Sequence, residues 1–253
     1  MIIVVDFGSQ TTHLIGRRIR ELGAEVKILS PEKVLLRQLA DHNDKSVKGI
    51  ILSGGPSSVY EKNAPSVNVD IFNLGLPILG ICYGFQLTAH LLGGKVISGK
   101  KEYGPASLKL STLNFQLSTE LPQQFNVWMS HGDEVIRLPK GFKVIGSSDG
   151  VPFAFVENKD KKIYGLQFHP EVEHTEFGNQ ILKNFVSICY LEPFDSLKGR
   201  LREGSHEILR FTQNDIINKI REIVGEKDYV IGAVSGGVDS TVAAALTAKA
   251  VGK

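Results

Sequence analysis

Three uninterrupted apolar runs constrain this chain most: IIVV at 2–5, GIIL at 49–52 and PILGIC at 77–82, with AEVKIL at 24–29 between the first two. Each of the three meets a turn signal at its end: FGS, SGGP and YG. A strand apolar on both faces must be covered on both faces, so such runs demand a parallel sheet clad in helices. The intervening segments carry helical spacing. Ile15, Ile19 and Leu22 fall on one side with Arg17, Arg18 and Arg20 mostly outward, and Gly23 stops that helix. PEKVLLRQLA and a stretch near 66–74 read as further helices, and GFQLTAHLLGG as one ending at Gly93-Gly94. The alternation predicts an α/β fold, a mostly parallel central sheet with flanking helices.

From about residue 95 short strands follow one another: KVIS, ASLKLS, FNVWMS, FKVIGSS, PFAFVENKD and KKIYGLQFH. Asn158-Lys159-Asp160 reads as the hairpin turn between the last two, a solvated loop tip. A last helix, TEFGNQILKNFVSICYL, sets Phe177, Ile181, Phe185 and Ile188 on one face and closes a domain at 1–190. Residues 191–205, charged and bearing Pro and Gly, read as a linker. Residues 206–253 hold an amphipathic helix, the strand YVIGAV, the loop SGGVDS and a helix. One apolar strand in so short a piece cannot bury an independent core, so the expectation is an incomplete second α/β domain, the front of something longer.

Composition excludes several classes. A net charge of +2 is too small to argue for nucleic acid or an anionic membrane. No apolar run reaches the roughly 18 residues of a bilayer span. The start MIIVVDFGSQ reads as a strand and not as a signal peptide. Two cysteines make no disulfide framework, and a reducing, cytoplasmic setting is the simplest expectation.

One of those cysteines is a candidate for chemistry. Gly80-Ile81-Cys82-Tyr83-Gly84 lies where a strand turns into a helix, with small residues two positions either side of Cys82. That is the pattern of a nucleophile elbow, and the helix N-terminus behind it favours a thiolate. The bland alternative is a buried cysteine packed as a small hydrophobe. A nucleophile needs a base and an orienting group. His169-Pro170-Glu171 supplies both types, because on extended backbone residues two apart point the same way and Pro170 keeps the segment extended. Taken alone, His169 is as readily a satisfied core histidine. Acyl transfer also needs oxyanion donors, and the backbone of Ser53-Gly54-Gly55-Pro56 together with the Tyr83 N–H offers them. A simple glycine turn is the alternative there.

LSGGPSSVY, GICYGFQL, WMSHGDEV and YGLQFHPEV, in this order, resemble the class I (triad) glutamine amidotransferases over residues 1–190. The resemblance implies a flavodoxin-like α/β fold and hydrolysis of the glutamine amide through a thioester on Cys82, with His169 and Glu171 completing the triad. It also implies that the Gly55 and Tyr83 N–H groups form the oxyanion hole. Gly54, Gln86, Ser130, His131, Gly132 and Asp133 would line the glutamine pocket. His131 and His174 lie near motif residues, but one base suffices for a triad, so structural or loop roles are expected of them rather than catalysis. The glutaminase half-reaction needs no cofactor.

The second motif, Ser235, Gly236, Gly237, Val238, Asp239 and Ser240 with Thr241 opening a helix, is a glycine loop at a helix N-terminus, the form of a phosphate cradle. An unoccupied turn is the alternative. It lacks the Gly-Lys-Ser/Thr of the Walker pattern and resembles the loop of the N-type ATP pyrophosphatases. That implies ATP, with Asp239 helping to hold Mg²⁺. The two motifs in this order resemble the glutamine-hydrolysing GMP synthetase family, which implies XMP and ATP as further substrates and missing C-terminal pyrophosphatase and dimerisation parts. That family usually reads FGSQYTQ where this chain reads FGSQTTHL, so Thr11 and His13 depart from it. Two other readings remain: a stand-alone Cys–His–Glu hydrolase (a peptidase or γ-glutamyl hydrolase), which has no reason to carry SGGVDS, and a non-catalytic truncated paralogue.

Overall fold

The structure, a computed structural model, describes residues 1–34, 46–111 and 115–190. The chain divides into two units, Met1–Leu191 and Glu192–Lys253. The expected linker, the second domain and the SGGVDS loop, Ser235 to Thr241, lie outside the described residues, as does most of the helix expected at 31–40.

Among the described residues nine strands form one sheet in the order β2-β1-β3-β4-β9-β8-β7-β5-β6. The apolar runs are its parallel half: β1 (Ile2–Val5), β2 (Val26–Leu29), β3 (Gly49–Leu52) and β4 (Ile78–Ile81), extended by β9 (Ile163–Leu166). The other half is antiparallel: β5 (Lys95–Leu110), β6 (Gln124–Arg137), β7 (Lys143–Ser147) and β8 (Phe155–Asn158). The sheet is therefore mixed, with β9 the seam that pairs parallel to β4 and antiparallel to β8.

Alternation within the apolar runs sorts side chains to two faces. Ile2, Val4, Ile51, Leu79 and Ile81 join Ile15 and Ile19 of α1 (Thr12–Glu21) and Ile181, Leu182 and Phe185 of α3 (Gly178–Tyr190). Ile3, Val5, Ile50, Leu52 and Ile78 face the other way, with Tyr83 and Leu87 of α2 (Tyr83–Leu91). Each such side chain contributes about 1.5–3 kcal/mol on burial. This two-sided cover is what the unbroken apolar runs require.

Several expectations shift in detail. KVIS and ASLKLS are one strand, β5, paired along β6 through an irregularity between Ser98 and Glu102. FNVWMS continues unbroken through SHGDEVIR as β6, in which Phe125, Val127, Met129, His131, Asp133 and Val135 all take the inward positions. The stretch near 66–74 yields a short 3-10 helix, Val69–Asn73, with Asn68 accepting at its start. The hairpin forms one residue further along than expected: the turn is 159–162, and Asn158 is not at its solvated tip but ends β8, buried, with its Oδ1 accepting from the Lys161 N–H. The last helix starts at Gly178, three residues later than the expected Thr175. Phe177 precedes it in a left-handed conformation, about half exposed, and the buried face is Ile181, Leu182, Phe185 and Cys189 with Ile188 only half-buried.

Phe185 joins α3 to the sheet, edge-on to Tyr164 of β9 at a centroid distance of 6.3 Å. Phe185→Ala is expected to lower the stability by about 3–5 kcal/mol, read as a lower midpoint in urea unfolding.

Candidate active site

The site gathers at the C-terminal ends of four adjacent parallel strands, β1, β3, β4 and β9, the edge where α/β sheets place ligands. At the end of β4 the chain enters α2 through Cys82, whose backbone is left-handed at φ 50°, ψ −106°. A non-glycine residue there is strained, and the surroundings hold it. The Cys82 N–H donates to Leu166 O of β9 at 2.7 Å, and the Gly84 N–H donates to Ser53 O at 3.0 Å. A Cβ on Gly80 would come within 2.7 Å of Gly84 O and Phe85 N, and one on Gly84 would overlap the Leu52 carbonyl. Both glycines of the motif are thus required by contact, and the turn they permit sets the thiol above the sheet edge.

His169 lies just past β9. Its N–H donates to Trp128 O of β6 at 3.1 Å, and Thr175 Oγ1 donates to its carbonyl at 2.6 Å. Its Nδ1 meets Glu171 Oε1 at 2.7 Å, so the residues two apart converge, but through a turn at Pro170 and Glu171 rather than along the extended backbone expected. Burial works against an imidazolium here. Hydrogen bonding to the Cys82 sulfur and to Glu171, with the charges of both, outweighs it and holds His169 well above the ordinary histidine value. Glu171 is buried, and the Thr11 hydroxyl donates to the same Oε1 at 2.6 Å.

Two cavities among the described residues meet at Cys82. One, of about 500 Å³, is lined by Gly55, Tyr60, Gln86, Lys101, Tyr103 and Ser130 to Asp133. The other, of about 380 Å³, is lined by Gly8 to Thr11, Pro56, Trp128, His169 and Val172. All of Gln86, Ser130, His131, Gly132 and Asp133 thus fall together on the first. Gln86 is buried with its amide nitrogen already engaged, donating to Asp133 O at 2.8 Å. His131 points its Nδ1 at the same carbonyl, 3.0 Å away, and burial lowers its pKa despite Glu102 nearby. Tyr60 donates to Asp133 Oδ1 at 2.9 Å. Gly54, unlike the other expected pocket residues, lines neither cavity; a Cβ on it would come within 3.1 Å of the His169 ring. Gly55 has room only for a hydrogen, since a Cβ would come within 2.8 Å of Phe7 O. Tyr83 is the first residue of α2, where helix N–H groups have no intrahelical acceptor. His174 is exposed and lies 4.6 Å, ring to ring, from Trp128.

Sequence reasoning missed Thr11 as a partner of Glu171 and Gln167, whose amide donates to Cys82 Sγ at 3.8 Å. It also missed the cavity residues Tyr60, Lys101, Tyr103 and Trp128. Lys101 reaches the cavity from the irregular stretch of β5 where three residues oppose Gly132 alone. The alternation of β6 running on through His131 and Asp133 was a legible signal for their inward placement.

Because His169 is raised in the folded state, its charge stabilises the fold fully below about pH 6.5, and that contribution is lost as pH rises towards the folded value. In a histidine NMR titration His169 is expected to stay protonated through neutrality. Cys82→Ala, which removes one raising partner, should lower its midpoint; an unmoved midpoint would mean that Cys82 does not address this imidazole.

The comparisons with known proteins agree with this geometry. The family described as "Glutamine amidotransferase class-I" matches residues 3–189. Proteins described as GMP synthase [glutamine-hydrolyzing] from Caldicellulosiruptor saccharolyticus and Streptococcus pyogenes are 48% and 46% identical over 100% and 99% of this chain. The chain spans 46% of the length of each. The crystal structure of a Thermoplasma acidophilum protein described as a GMP synthase component superposes with a TM-score of 0.63 at 33% identity, covering 80% of this chain and 97% of that one. A glutamine amidotransferase from Thermotoga maritima shares the fold with a TM-score of 0.55 at 20% identity, covering 100% of this chain and 98% of that one. A cysteine held left-handed at the strand end, facing a carboxylate-bound imidazole, sits within a matched region of this extent: the chain belongs to the class-I glutamine amidotransferase family.

Proposed function

We propose that the first unit hydrolyses glutamine to glutamate and ammonia, with Cys82 as nucleophile, His169 as acid and base, and Glu171 as its orienting carboxylate. The single observation that carries this reading is the strained Cys82 thiol at the meeting of two cavities, beside an imidazole bonded to a buried carboxylate. Glutamine occupies the larger cavity. Its α-ammonium has Asp133 as acceptor, and its side-chain amide reaches Cys82. With its proton already held by His169, the Cys82 sulfur attacks the amide carbon, and the oxygen turns towards the Gly55 and Tyr83 N–H groups. His169 gives its proton to the nitrogen, ammonia leaves and a thioester remains. His169 then takes a proton from water as the water oxygen attacks the thioester; the C–S bond breaks, glutamate leaves with its acid proton passing to solvent, and the Cys82 sulfur again faces a protonated His169. Ammonia departs on the His169 side, through the smaller cavity.

The GMP synthase relatives support a further step in which this ammonia aminates XMP that ATP has activated, as part of purine nucleotide synthesis in the cytoplasm. In that reading Ser235 to Thr241 hold the ATP phosphates and Asp239 the Mg²⁺. These residues lie outside the described ones, so the step rests on the motif and on the relatives alone.

Cys82→Ala is expected to reduce ammonia release from glutamine at least roughly 10³-fold. A glutamine-analogue chloroketone should label Cys82, and glutamine should protect it. Turnover that survives Cys82→Ala would overturn the triad, and labelling indifferent to glutamine would favour a hydrolase of another substrate. Supplying ATP, XMP and a separate ATP pyrophosphatase domain tests the coupled step: GMP formation from glutamine supports it, and ammonia release without GMP counts against it.

A further inference from the structure

The structure assigns Thr11 as the residue that positions Glu171 for its histidine. Thr11 is the N-cap residue of α1, where a threonine hydroxyl ordinarily accepts from the helix's own N–H groups. Here it makes no such bond. Its hydroxyl instead donates to Glu171 Oε1 at 2.6 Å, across 160 residues of sequence. That oxygen is the one His169 Nδ1 addresses at 2.7 Å.

The direction of each bond follows from what the groups can do. A carboxylate only accepts, so Thr11 gives its single hydroxyl proton to Glu171. Ser9 Oγ, 2.9 Å from Thr11 Oγ1, is then the donor to Thr11. Ser9 Oγ in turn accepts from the Thr11 N–H at 3.2 Å. The chain of donation runs Ser9 to Thr11 to Glu171, and meets there the bond from His169. Cys82 lies on the imidazole's other side.

The need for such a partner is geometric. A glutamate's last torsion is broad and two-fold, so nothing intrinsic decides which oxygen faces the imidazole. Glu171 is 1% exposed, so solvent does not choose either. Its Oε2 has no hydrogen-bond partner among the described residues. Thr11 breaks the symmetry by binding Oε1 alone, and the Arg18 Nε bond to the Glu171 carbonyl at 3.4 Å holds the backbone beneath it. Ser9 and Thr11 also line the smaller cavity, so the β1–α1 loop forms at once a wall of that cavity and a support of the base.

This inference rests on the reading of Cys82, His169 and Glu171 as a triad, and its test separates the two. In the full chain, Thr11→Val keeps the branched shape and removes the hydroxyl, while Thr11→Ser keeps the hydroxyl. For Thr11→Val a fall of about tenfold in kcat for glutamine hydrolysis is expected, with KM nearly unchanged, since a positioned base contributes about 10²–10⁴ in all. The downfield Nδ1–H resonance of His169 should move upfield and exchange faster with water. Thr11→Ser should restore both. Wild-type kcat and an unmoved resonance in Thr11→Val, or a Thr11→Ser as impaired as Thr11→Val, would overturn the assignment. The resonance reports on Thr11 even where turnover is slow, whereas failure of the triad reading itself would appear as Cys82→Ala turning over glutamine like the parent.

Discussion

The left-handed turn at Cys82 is the constraint on which the site depends. An L-residue at φ 50° is unfavourable, and it persists only because neighbours leave no alternative. Gly80 and Gly84 let strand, turn and helix approach to contact that no Cβ could enter. The Cys82 N–H fixed to Leu166 O and the Gly84 N–H fixed to Ser53 O tie the turn to β9 and to the end of β3. Those bonds hold the thiol to the two neighbouring strand ends that carry His169 and the Ser53-Gly54-Gly55 loop. A turn of ordinary hand would point the thiol elsewhere, and the cavities on its two sides would lose their common wall.

Around that turn the electrostatics is one of compensated burial. His169 and Glu171 are both withdrawn from water, which disfavours charge on each. Their mutual bond, the sulfur of Cys82 and the Thr11 hydroxyl supply what solvent no longer does. His131, also buried, lacks a hydrogen-bonded carboxylate among the described residues, and its pKa shifts the opposite way. Two buried histidines are thus set apart by a bonded carboxylate. That difference suits one to hold a proton beside the thiol and the other to shape the larger cavity while neutral.

Much of this was legible in the chain. The unbroken apolar runs required cover on both faces, and the structure gives them two cores sorted by residue parity. The glycine spacing about Cys82 and the His-x-Glu order named the groups that meet. What misled was local. The pattern at 177–188 has helical spacing, but Phe177 adopts a left-handed turn, so the helix and its buried face begin later. KVIS and ASLKLS looked separate because glycine, lysine and proline interrupt the apolar signal, yet β6 pairs along both and continues the strand through an irregularity. Pairing partners far away in sequence leave no periodicity of their own.

The sequence by itself determined most of the parallel half of the sheet, the elbow and which cysteine, histidine and glutamate meet beside it, because these follow from side-chain period, glycine sterics and residue chemistry over a few positions. Only the tertiary structure decided that β9 is the seam between parallel and antiparallel halves, that the bulged β5 carries Lys101 to the larger cavity, and that Thr11 reaches Glu171. Each of these depends on where remote segments come to rest against one another. Thr11 and Glu171 stand 160 residues apart, and no local rule relates them until β1 and β9 have taken their places on either side of β3 and β4.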